Sequence, residues 1–267
     1  MPIIETTALT RRFADVLAVD DFTIGVDEGE VFGLLGPNGA GKTTVIKMLT
    51  TLLVPTSGEA SVAGYSIRRG SGAVRRMVGY VPQMLSADGQ LSGYENLLIF
   101  AKLYDIPRRE QRARIDDALK FMGLSDVAPS LVRTYSGGMI RRLEIAQSML
   151  HHPRVLFLDE PTVGLDPSAR RAVWQHIAEL RERLGMTIFL TTHLMEEADS
   201  LCRRVAIMHR GRVAALDTPA ALKASLNTPG ATLDDVFIHF AGDSLSAVGG
   251  GSYRDTRRAR RTARRLG

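Results

Sequence analysis

A glycine-rich segment followed by a lysine and two threonines is the part of this sequence best suited to chemistry. The segment Gly36–Thr44 reads GPNGAGKTT and satisfies the pattern G-x-x-x-x-G-K-[ST]. The glycines let successive backbone N–H groups point into one concavity, and the start of a helix adds attraction for phosphate. Lys42 can then reach the outer phosphates of a nucleotide, and the Thr43 hydroxyl can hold Mg²⁺. The alternative is a glycine turn with a solvated lysine. The lysine-threonine pair stands at the required spacing after the glycines, which favours nucleotide binding by Asn38, Gly39, Ala40, Gly41, Lys42, Thr43 and Thr44.

Two adjacent carboxylates follow a short apolar run later in the chain. Residues 155–158 have the composition of a buried strand, and Asp159 and Glu160 come directly after it. Neighbouring side chains on a strand point to opposite faces, but at its end the chain turns and both can face one cavity. Asp159 can then hold Mg²⁺ beside Thr43, and Glu160 can polarise an attacking water molecule. An acidic pair before a proline is common in loops, so the upstream phosphate loop is what makes this pair a candidate.

Three further side chains are candidates for the same site, and each has an ordinary alternative. Gln83 follows a short predicted strand and can touch Mg²⁺ or the lytic water; otherwise it is a solvated loop residue. His193 follows another predicted strand and can donate to a γ-phosphate, although a lone histidine is more often structural. Phe13 can stack on adenine or pack in the core. Ligand groups collect at the carboxyl ends of strands in open α/β sheets, which favours the site for Gln83 and His193.

A second glycine-containing segment lies at residues 135–139 and reads YSGGM. Ser136, Gly137 and Gly138 precede a predicted helix, so their backbone N–H groups can form a second anion-binding concavity. One phosphate loop does not need two such concavities. The economical arrangement is a head-to-tail dimer, in which the segment of each subunit closes on the γ-phosphate held by the other. Nucleotide then joins two subunits, and hydrolysis releases them.

These residues need a scaffold that brings strand ends together, and the hydrophobic pattern predicts one. Apolar strands alternate with helices, which predicts a mainly parallel sheet with helices on both faces. The predicted strands are 3–13, 22–26, 31–35, 59–67, 77–81, 155–158, 187–192 and 205–208. Helices are predicted at 45–53, 139–150, 169–184 and 196–202. The stretch 94–133 is helical without intervening strands and is interpreted as a helical insertion.

Composition limits the classes of protein to consider. The 267 residues include 45% hydrophobic residues, which favours one large α/β domain or two small ones over global disorder. No run approaches the roughly 18 apolar residues of a membrane span, and residues 1–10 lack the pattern of a signal peptide. Cys202, the one cysteine, cannot form an internal disulfide and is interpreted as a small core residue. These features predict a cytosolic protein.

The net charge of +5 is concentrated at one end of the chain. Residues 252–267 hold seven arginines and one aspartate, a net charge of +6, which leaves the remainder at −1. The folded body is therefore not expected to present a nucleic-acid-binding face. The tail itself has three interpretations, in order of preference: solvated disorder, attraction to anionic lipid headgroups, and nucleic-acid binding.

The order of the motifs resembles that of ATP-binding cassette (ABC) ATPases. The series GPNGAGKTT, Gln83, YSGGM, LFLDEP, the segment 164–166 and His193 covers roughly residues 3–225. The resemblance implies an α/β P-loop NTPase with a mainly parallel central sheet, an N-terminal antiparallel β subdomain and an inserted α-helical subdomain at about 84–135. It implies an ATPase domain at 1–225, a short extension at 226–245 and a flexible basic tail at 246–267. It also implies ATP and Mg²⁺ as ligands.

The same resemblance assigns roles to individual residues. It implies catalytic roles for Lys42, Gln83, Glu160 and His193. It implies that Mg²⁺ is bound by Thr43, Gln83 and Asp159. It also implies that the nucleotide is contacted across the expected dimer by Ser136, Gly137, Gly138 and Asp166. Tyr135 and Met139 depart from the usual LSGGQ signature, in which leucine and glutamine stand at these positions.

Finer motifs resemble the daunorubicin-resistance type of drug-export ATPase. They are LSGYENL at 91–97, LYDIP at 103–107, YSGGMIRRLEIA at 135–146 and LDDVF at 233–237. The resemblance implies a homodimeric ATPase subunit at the inner face of the cell membrane that drives export of a drug or antibiotic through a separate permease. Residues 84–133 are expected to carry the permease contact, with Tyr94, Glu95 and Tyr104 near the docking groove. The alternative, a non-transport ABC switch acting on nucleic acid or ribosomes, is disfavoured by the single cassette and the absence of a cysteine cluster.

Overall fold

The computed structural model describes residues 2–241, which form two β-sheets and the helices packed around them. The strands are β1 (Pro2–Phe13), β2 (Val16–Asp27), β3 (Val31–Leu35), β4 (Ser57–Val62), β5 (Tyr65–Ser66), β6 (Val78–Val81), β7 (Val155–Asp159), β8 (Thr187–Thr192), β9 (Arg204–His209) and β10 (Arg212–Asp217). The helices are α1 (Lys42–Leu49), α2 (Ser71–Met77), α3 (Gly93–Leu103), α4 (Arg108–Phe121), α5 (Gly137–Met149), α6 (Pro167–Leu184), α7 (Met195–Leu201), α8 (Pro219–Ser225) and α9 (Leu233–Ala241).

The central sheet has the strand order β10-β9-β3-β8-β7-β6. Its strands pair in parallel except for β10, which is antiparallel to β9. Strands β3, β7 and β8 are buried along their whole length, as their continuous apolar runs require in a sheet covered on both faces. The mainly parallel sheet predicted from the sequence is confirmed. Because parallel strands share one direction, the carboxyl ends of β3, β6, β7 and β8 lie at one edge, which is where the candidate residues follow.

Two hydrophobic clusters cover the two faces of this sheet. Side chains alternate along β7, so that Leu156 and Leu158 belong to one cluster while Val155 and Phe157 belong to the other. The first cluster also contains residues of α3 to α9. The second contains α1 and the antiparallel sheet, which has the order β2-β1-β4-β5. The α/β P-loop fold with an additional antiparallel sheet agrees with the expectation.

Several boundaries differ from the sequence-based prediction. Helix α1 starts at the phosphate-loop lysine and ends at Leu49, not Leu53, because Thr51 adopts a left-handed conformation with φ of 63°. The strand predicted at 59–67 is two strands joined by a tight turn, with φ of 52° at Ala63 and 83° at Gly64. Strand β2 begins at Val16 rather than at residue 22. Helices α2, α8 and α9 and strand β10 were not predicted.

The C-terminal part of the described chain packs on the α/β body. Leu233 and Val236 of α9 are buried in the first cluster. Cys202 is also buried, and burial raises its pKa well above the ordinary thiol value, so it is an inert core residue as interpreted from the sequence. Within residues 2–241, no helix is both long enough and apolar enough to cross a bilayer. The basic tail predicted at 246–267, and the last residues of the 226–245 extension, lie outside the described residues.

Candidate functional site

The phosphate loop follows β3 and has the backbone conformation that only glycine accepts easily. Gly39 and Gly41 have φ of 81° and 107°, in the left-handed region. A Cβ atom on Gly41 would collide with the Ala18 carbonyl oxygen, so the chain approaches too closely there for any side chain. Asn38 and Gly39 are exposed at the tip of the loop, while Ala40 is buried beneath it. The loop therefore presents backbone to solvent at the start of α1.

Lys42 is folded back into its own loop. Its side chain is 5% exposed, and its Nζ donates to the carbonyl oxygens of Gly36 at 2.8 Å and Pro37 at 3.2 Å. The same Nζ lies 3.0 Å from Oε1 of Glu160, whose side chain is also 5% exposed. A buried ammonium group is stable only when it is paired and hydrogen-bonded, and here both conditions hold. The lysine is thus held at the loop by acceptors that an anionic phosphate can replace.

Asp159 sits at the end of β7 with one oxygen engaged and the other free. Oδ1 accepts from the Thr43 hydroxyl at 3.2 Å and from the Thr191 hydroxyl at 2.6 Å. Oδ2 is buried and has no hydrogen-bond partner among the described residues. A hard divalent cation prefers such a carboxylate oxygen next to a hydroxyl. Thr43 and Asp159 are therefore suited to hold Mg²⁺.

The charge of Asp159 is also felt by a tyrosine on the neighbouring strand. Burial, together with the negative charge of Asp159, raises the pKa of Tyr80 to about 12. A tyrosine is neutral at physiological pH even at its ordinary pKa, and this shift favours the neutral form of Tyr80 further, so the residue adds no negative charge beside Asp159.

Glu160 is the point at which the predicted catalytic residues converge. Its φ of 48° is left-handed, so the chain turns immediately after β7 and the carboxylate faces the loop instead of the opposite side of the sheet. Its Oε2 accepts from Gln83 Nε2 at 3.3 Å and lies 3.2 Å from His193 Nδ1, while Oε1 pairs with Lys42. The four residues predicted to be catalytic are thus brought into direct contact.

Thr191 is a site residue that the sequence analysis did not identify. It is fully buried on β8, and its hydroxyl bonds to Asp159 and also accepts from the Glu160 N–H at 3.1 Å. The parallel register places it directly beside Asp159. A threonine at the end of a buried apolar strand was the available signal, because such a hydroxyl needs a polar partner.

Phe13 ends β1 and is 42% exposed, so it is not a core residue. The guanidinium of Arg11 lies over one face of its ring, 4.5 Å from the centroid. A cation held against one face restrains the ring and leaves the other face for stacking. Stacking on adenine stays a prediction.

The segment Ser136-Gly137-Gly138 forms the start of α5, with Ser136 as its N-cap. The Ser136 hydroxyl accepts from the Met139 N–H at 3.3 Å, and the Met139 sulfur accepts from the Ser136 N–H at 3.5 Å, which reproduces a capping box with a thioether in the acceptor role. Ser136 and Gly137 are exposed. A Cβ on Gly138 would lie only 2.8 Å from Ala169 Cβ, so the close packing of α5 on α6 requires glycine there.

Two features surround this segment. Asp166 caps α6 by accepting from the N–H groups of Ser168 at 2.9 Å and Ala169 at 3.0 Å, and these bonds lower its pKa. Tyr135, the departure from the usual signature, donates from its hydroxyl to the Val127 carbonyl at 2.7 Å. The Tyr135 ring also fills the space in which Gly93 would carry a Cβ, so the segment is locked to the start of α3.

A buried glutamate joins the segments that follow β7 and β8. Oε1 of Glu197, on α7, accepts from the Thr162 hydroxyl at 2.7 Å and from Trp174 Nε1 at 2.9 Å. Trp174, interpreted from the sequence as a packing residue, is half-buried, and this bond shows that it also has a polar partner. These bonds connect the segment after Glu160 to the helix after His193. The signal available in the sequence was an acidic residue four positions after His193.

A glycine-rich loop between a strand and a helix, with a buried acidic pair at the end of a neighbouring parallel strand, defines a P-loop nucleoside-triphosphatase domain. The comparisons with known proteins narrow this class. The family model described as ABC transporter matches residues 19–163. The chain belongs to the ABC transporter family and contains its ATP-binding ATPase domain.

Relatives and a solved structure agree with this membership. The chain is 42% identical over 244 residues to the "Probable multidrug ABC transporter ATP-binding protein YbhF" of Escherichia coli, which covers 90% of this chain and 42% of that protein. It is 43% identical over 238 residues to the "Daunorubicin resistance ATP-binding protein DrrA3" of Streptomyces coeruleorubidus, covering 89% of this chain and 74% of the relative. It also resembles the dimeric post-hydrolysis structure of the ATP-binding cassette MJ0796 bound to ADP and Pi, with a TM-score of 0.71 and 25% identity over 80% of this chain and 98% of that one.

The share of each relative that is covered differs. The chain spans less than half the length of YbhF, whereas it spans about three quarters of DrrA3. YbhF is an ABC transporter ATP-binding protein by name and DrrA3 is a daunorubicin resistance ATP-binding protein by name, and neither name favours the alternative of a switch acting on nucleic acid or ribosomes.

Proposed function

We propose that this protein hydrolyses ATP as the nucleotide-binding subunit of an exporter. The observation that carries the proposal is the convergence of Lys42, Gln83 and His193 on the carboxylate of Glu160, beside the Thr43–Asp159 pair. Such a site contains a cation for phosphate, a carboxylate for water and an oxygen pair for a metal. These are the parts that phosphoryl transfer to water requires.

Each residue has a distinct task in this proposal. Lys42 leaves the Gly36 and Pro37 carbonyls and binds the outer phosphates, and the freed Glu160 accepts a proton from the attacking water. Gln83 and His193, which contact Glu160 in this structure, orient that water and the γ-phosphate. Thr43, Asp159 and Gln83 are suited to hold Mg²⁺, which would neutralise phosphate charge when bound. The phosphate loop from Asn38 to Thr44 supplies the backbone donors.

The second half of the site comes from another subunit. Ser136 and Gly137 are exposed at the start of α5, where the Ser136 hydroxyl and the Gly137 N–H can face an anion from outside the chain. We infer that they cap the γ-phosphate held by a second copy, with Gly138 allowing the close approach and Asp166 between the two sites. The dimeric state of the similar cassette MJ0796 supports this arrangement.

A groove on the inserted helices is suited to the permease. It has a volume of about 790 Å³ and is lined by residues of α3, α4 and the segment 125–131, including Tyr94 and Glu95. Tyr104, which was expected nearby, is absent from the lining; its ring stacks on His151 with centroids 3.9 Å apart. Glu95 is committed to capping α3 through Ser92, so its charge reversal would damage the helix. Lys120→Glu, on the exposed wall of the groove, is the better test, and we expect it to weaken co-purification with the permease.

The names of the relatives support a proposal for the direction and the substrate class of transport. The names of YbhF and DrrA3 refer to multidrug transport and daunorubicin resistance, so we propose export of a drug or antibiotic. The subunit would then work at the cytoplasmic face of the membrane, beside a separate permease.

The decisive experiment replaces Glu160 by glutamine. The variant should bind Mg-ATP, hydrolyse it at least about 100-fold more slowly than the wild type, and form a dimer that light scattering detects. Glu179→Gln, at a partly exposed position of α6, is the control and should hydrolyse ATP normally. A wild-type rate for Glu160→Gln would remove Glu160 from its role, and a purely monomeric variant in saturating Mg-ATP would contradict the proposed dimer.

A further inference from the structure

Helix α5 carries a row of buried polar side chains that face the inserted helices. Arg141, Glu144 and Gln147 are 3%, 2% and 2% exposed and are spaced three residues apart, which places them along one side of the helix. Buried polar groups destabilise a protein unless they are hydrogen-bonded. Their partners therefore identify what this side of the helix holds.

Arg141 binds the backbone on either side of the Gln83 N–H. Its Nη1 donates to the Pro82 carbonyl oxygen at 2.7 Å, and its Nη2 donates to the Gln83 carbonyl oxygen at 2.7 Å. Nη1 also lies 3.0 Å from Oε2 of Glu144, so the guanidinium is oriented by a buried ion pair. The planar fork of an arginine fixes both carbonyl groups at once, which a lysine cannot do with the same geometry.

Glu144 and Gln147 extend the same attachment along the chain. Oε1 of Glu144 accepts from the backbone N–H of Ser86 and, at 3.1 Å, from its hydroxyl. Gln147 donates to Asn96 Oδ1 at 3.4 Å, and that oxygen also accepts from the Asp88 N–H at 2.9 Å. Residues 82–88 contain no helix or strand, and these bonds attach this segment to α5 directly or through Asn96.

We propose that Arg141 and Glu144 are positioning residues that hold Gln83 in contact with the catalytic site. The side chain of Gln83 is solvent-exposed, and its bond to Glu160 depends on where its backbone is placed. Arg141 is four residues from Gly137, about 6 Å along the helix axis. Helix α5 therefore begins with the segment proposed to contact the nucleotide of a second subunit, and the same helix fixes Gln83 in the site of its own subunit. This inference rests on the proposed function, in which Gln83 contacts the water or the metal.

The test is a double-mutant cycle between Arg141→Lys and Gln83→Ala, read as steady-state ATP hydrolysis. Arg141→Lys keeps the charge opposite Glu144 but loses the bidentate grip, and we expect kcat to fall about tenfold with KM for Mg-ATP changed less than about threefold. In the Gln83→Ala background the same change should have no further effect on kcat, because there is no side chain left to position. A role in stability alone would lower kcat equally in both backgrounds.

Arg142→Lys is the matched control, since Arg142 lies on the same helix and donates to the Met122 carbonyl at 2.7 Å, within the inserted helices. It should leave kcat within about twofold of wild type in either background. Glu144→Gln tests the same proposal independently, in case Arg141→Lys does not fold. It should also lower kcat about tenfold in the wild-type background and leave kcat unchanged in the Gln83→Ala background. Full additivity of both variants with Gln83→Ala would overturn the inference. A wild-type rate for Gln83→Ala alone would instead refute the role of Gln83 in the proposed function, and the inference with it.

Discussion

The pairing of Lys42 with Glu160 predicts that removing the carboxylate charge will tighten the binding of a nucleotide product. In this structure the two side chains are 3.0 Å apart, and each is 5% exposed. A bound diphosphate must take Lys42 from Glu160, and it must also approach that buried negative charge. Glu160→Gln removes both obstacles while it keeps the size of the side chain.

The expected magnitude follows from the contacts of Lys42. Removing one partner of a buried ion pair costs about 3–5 kcal/mol in general. Here Lys42 keeps its bonds to the Gly36 and Pro37 carbonyls, and a glutamine oxygen can still accept from it, so we expect a loss of about 1–2 kcal/mol in the free energy of unfolding of the nucleotide-free protein. The diphosphate restores a negative partner to the lysine in the variant. Its dissociation constant should therefore fall by about tenfold, since tenfold corresponds to about 1.4 kcal/mol.

Titration calorimetry with Mg-ADP measures this effect without hydrolysis. Urea unfolding of the nucleotide-free proteins measures the expected loss in the free energy of unfolding. The control is Glu28→Gln, whose ion pair with Arg154 is 2.5 Å long but about half exposed; its stability should stay within about 1 kcal/mol of wild type and its affinity for ADP should not change. If Glu160→Gln binds Mg-ADP as weakly as the wild type or more weakly, the lysine is not restrained by the glutamate and the reasoning is wrong.

Three further predictions concern the surroundings of the site. Phe13→Ala should raise KM for ATP by about tenfold with kcat within about twofold, while Phe13→Trp should preserve KM; an unchanged KM for the alanine variant would exclude stacking. Gly93→Ala should lower the free energy of unfolding by about 1–3 kcal/mol in urea, because its methyl group would occupy the position of the Tyr135 hydroxyl, and Tyr135→Leu in the same chain should recover part of the loss. The wild type should lose stability as pH falls below 6.5, because burial lowers the pKa of His151 and the unfolded chain then binds more protons than the folded one. His151→Gln should show a shallower dependence, and an unchanged slope in urea unfolding between pH 5 and about 7 would contradict this assignment.

The sequence predicted the parts of the fold that are recorded in long apolar runs. Strands β3, β7 and β8 are buried over their full length, and their ends were located within one residue. Because parallel strands end at a common edge, this was sufficient to expect that Gln83, Asp159, Glu160 and His193 would lie together. The large inserted helices were predicted for the same reason, since their apolar residues recur at helical spacing.

Short elements and side-chain partners were not recoverable in this way. Helices α2 and α8 have seven residues each, a length at which a helical period is seldom clear, although α7 of the same length was predicted. The partners of Arg141 lie 58 and 59 residues away in the chain, and Thr191 meets Asp159 only through the register of two strands. The left-handed turn at Glu160 was equally invisible, because a glutamate has no intrinsic preference for it.

The site is distinguished from the rest of the molecule by how many unfavourable features meet in one place. Left-handed residues such as Ala14 and Asp105 also occur elsewhere, but those are exposed in turns, where the strain is local. At Glu160 a left-handed backbone coincides with a buried charge, a buried lysine and the unpaired Oδ2 of Asp159. The left-handed backbone and the unpaired oxygen each cost about 1 kcal/mol or more, and a fold has no reason to place them around a buried ion pair unless a ligand uses the site. A magnesium triphosphate offers an anion to Lys42 and a cation to Asp159 at the same time. The same binding event therefore satisfies the unpaired Oδ2 of Asp159 and takes Lys42 from Glu160, so part of the binding free energy is used to free the catalytic carboxylate.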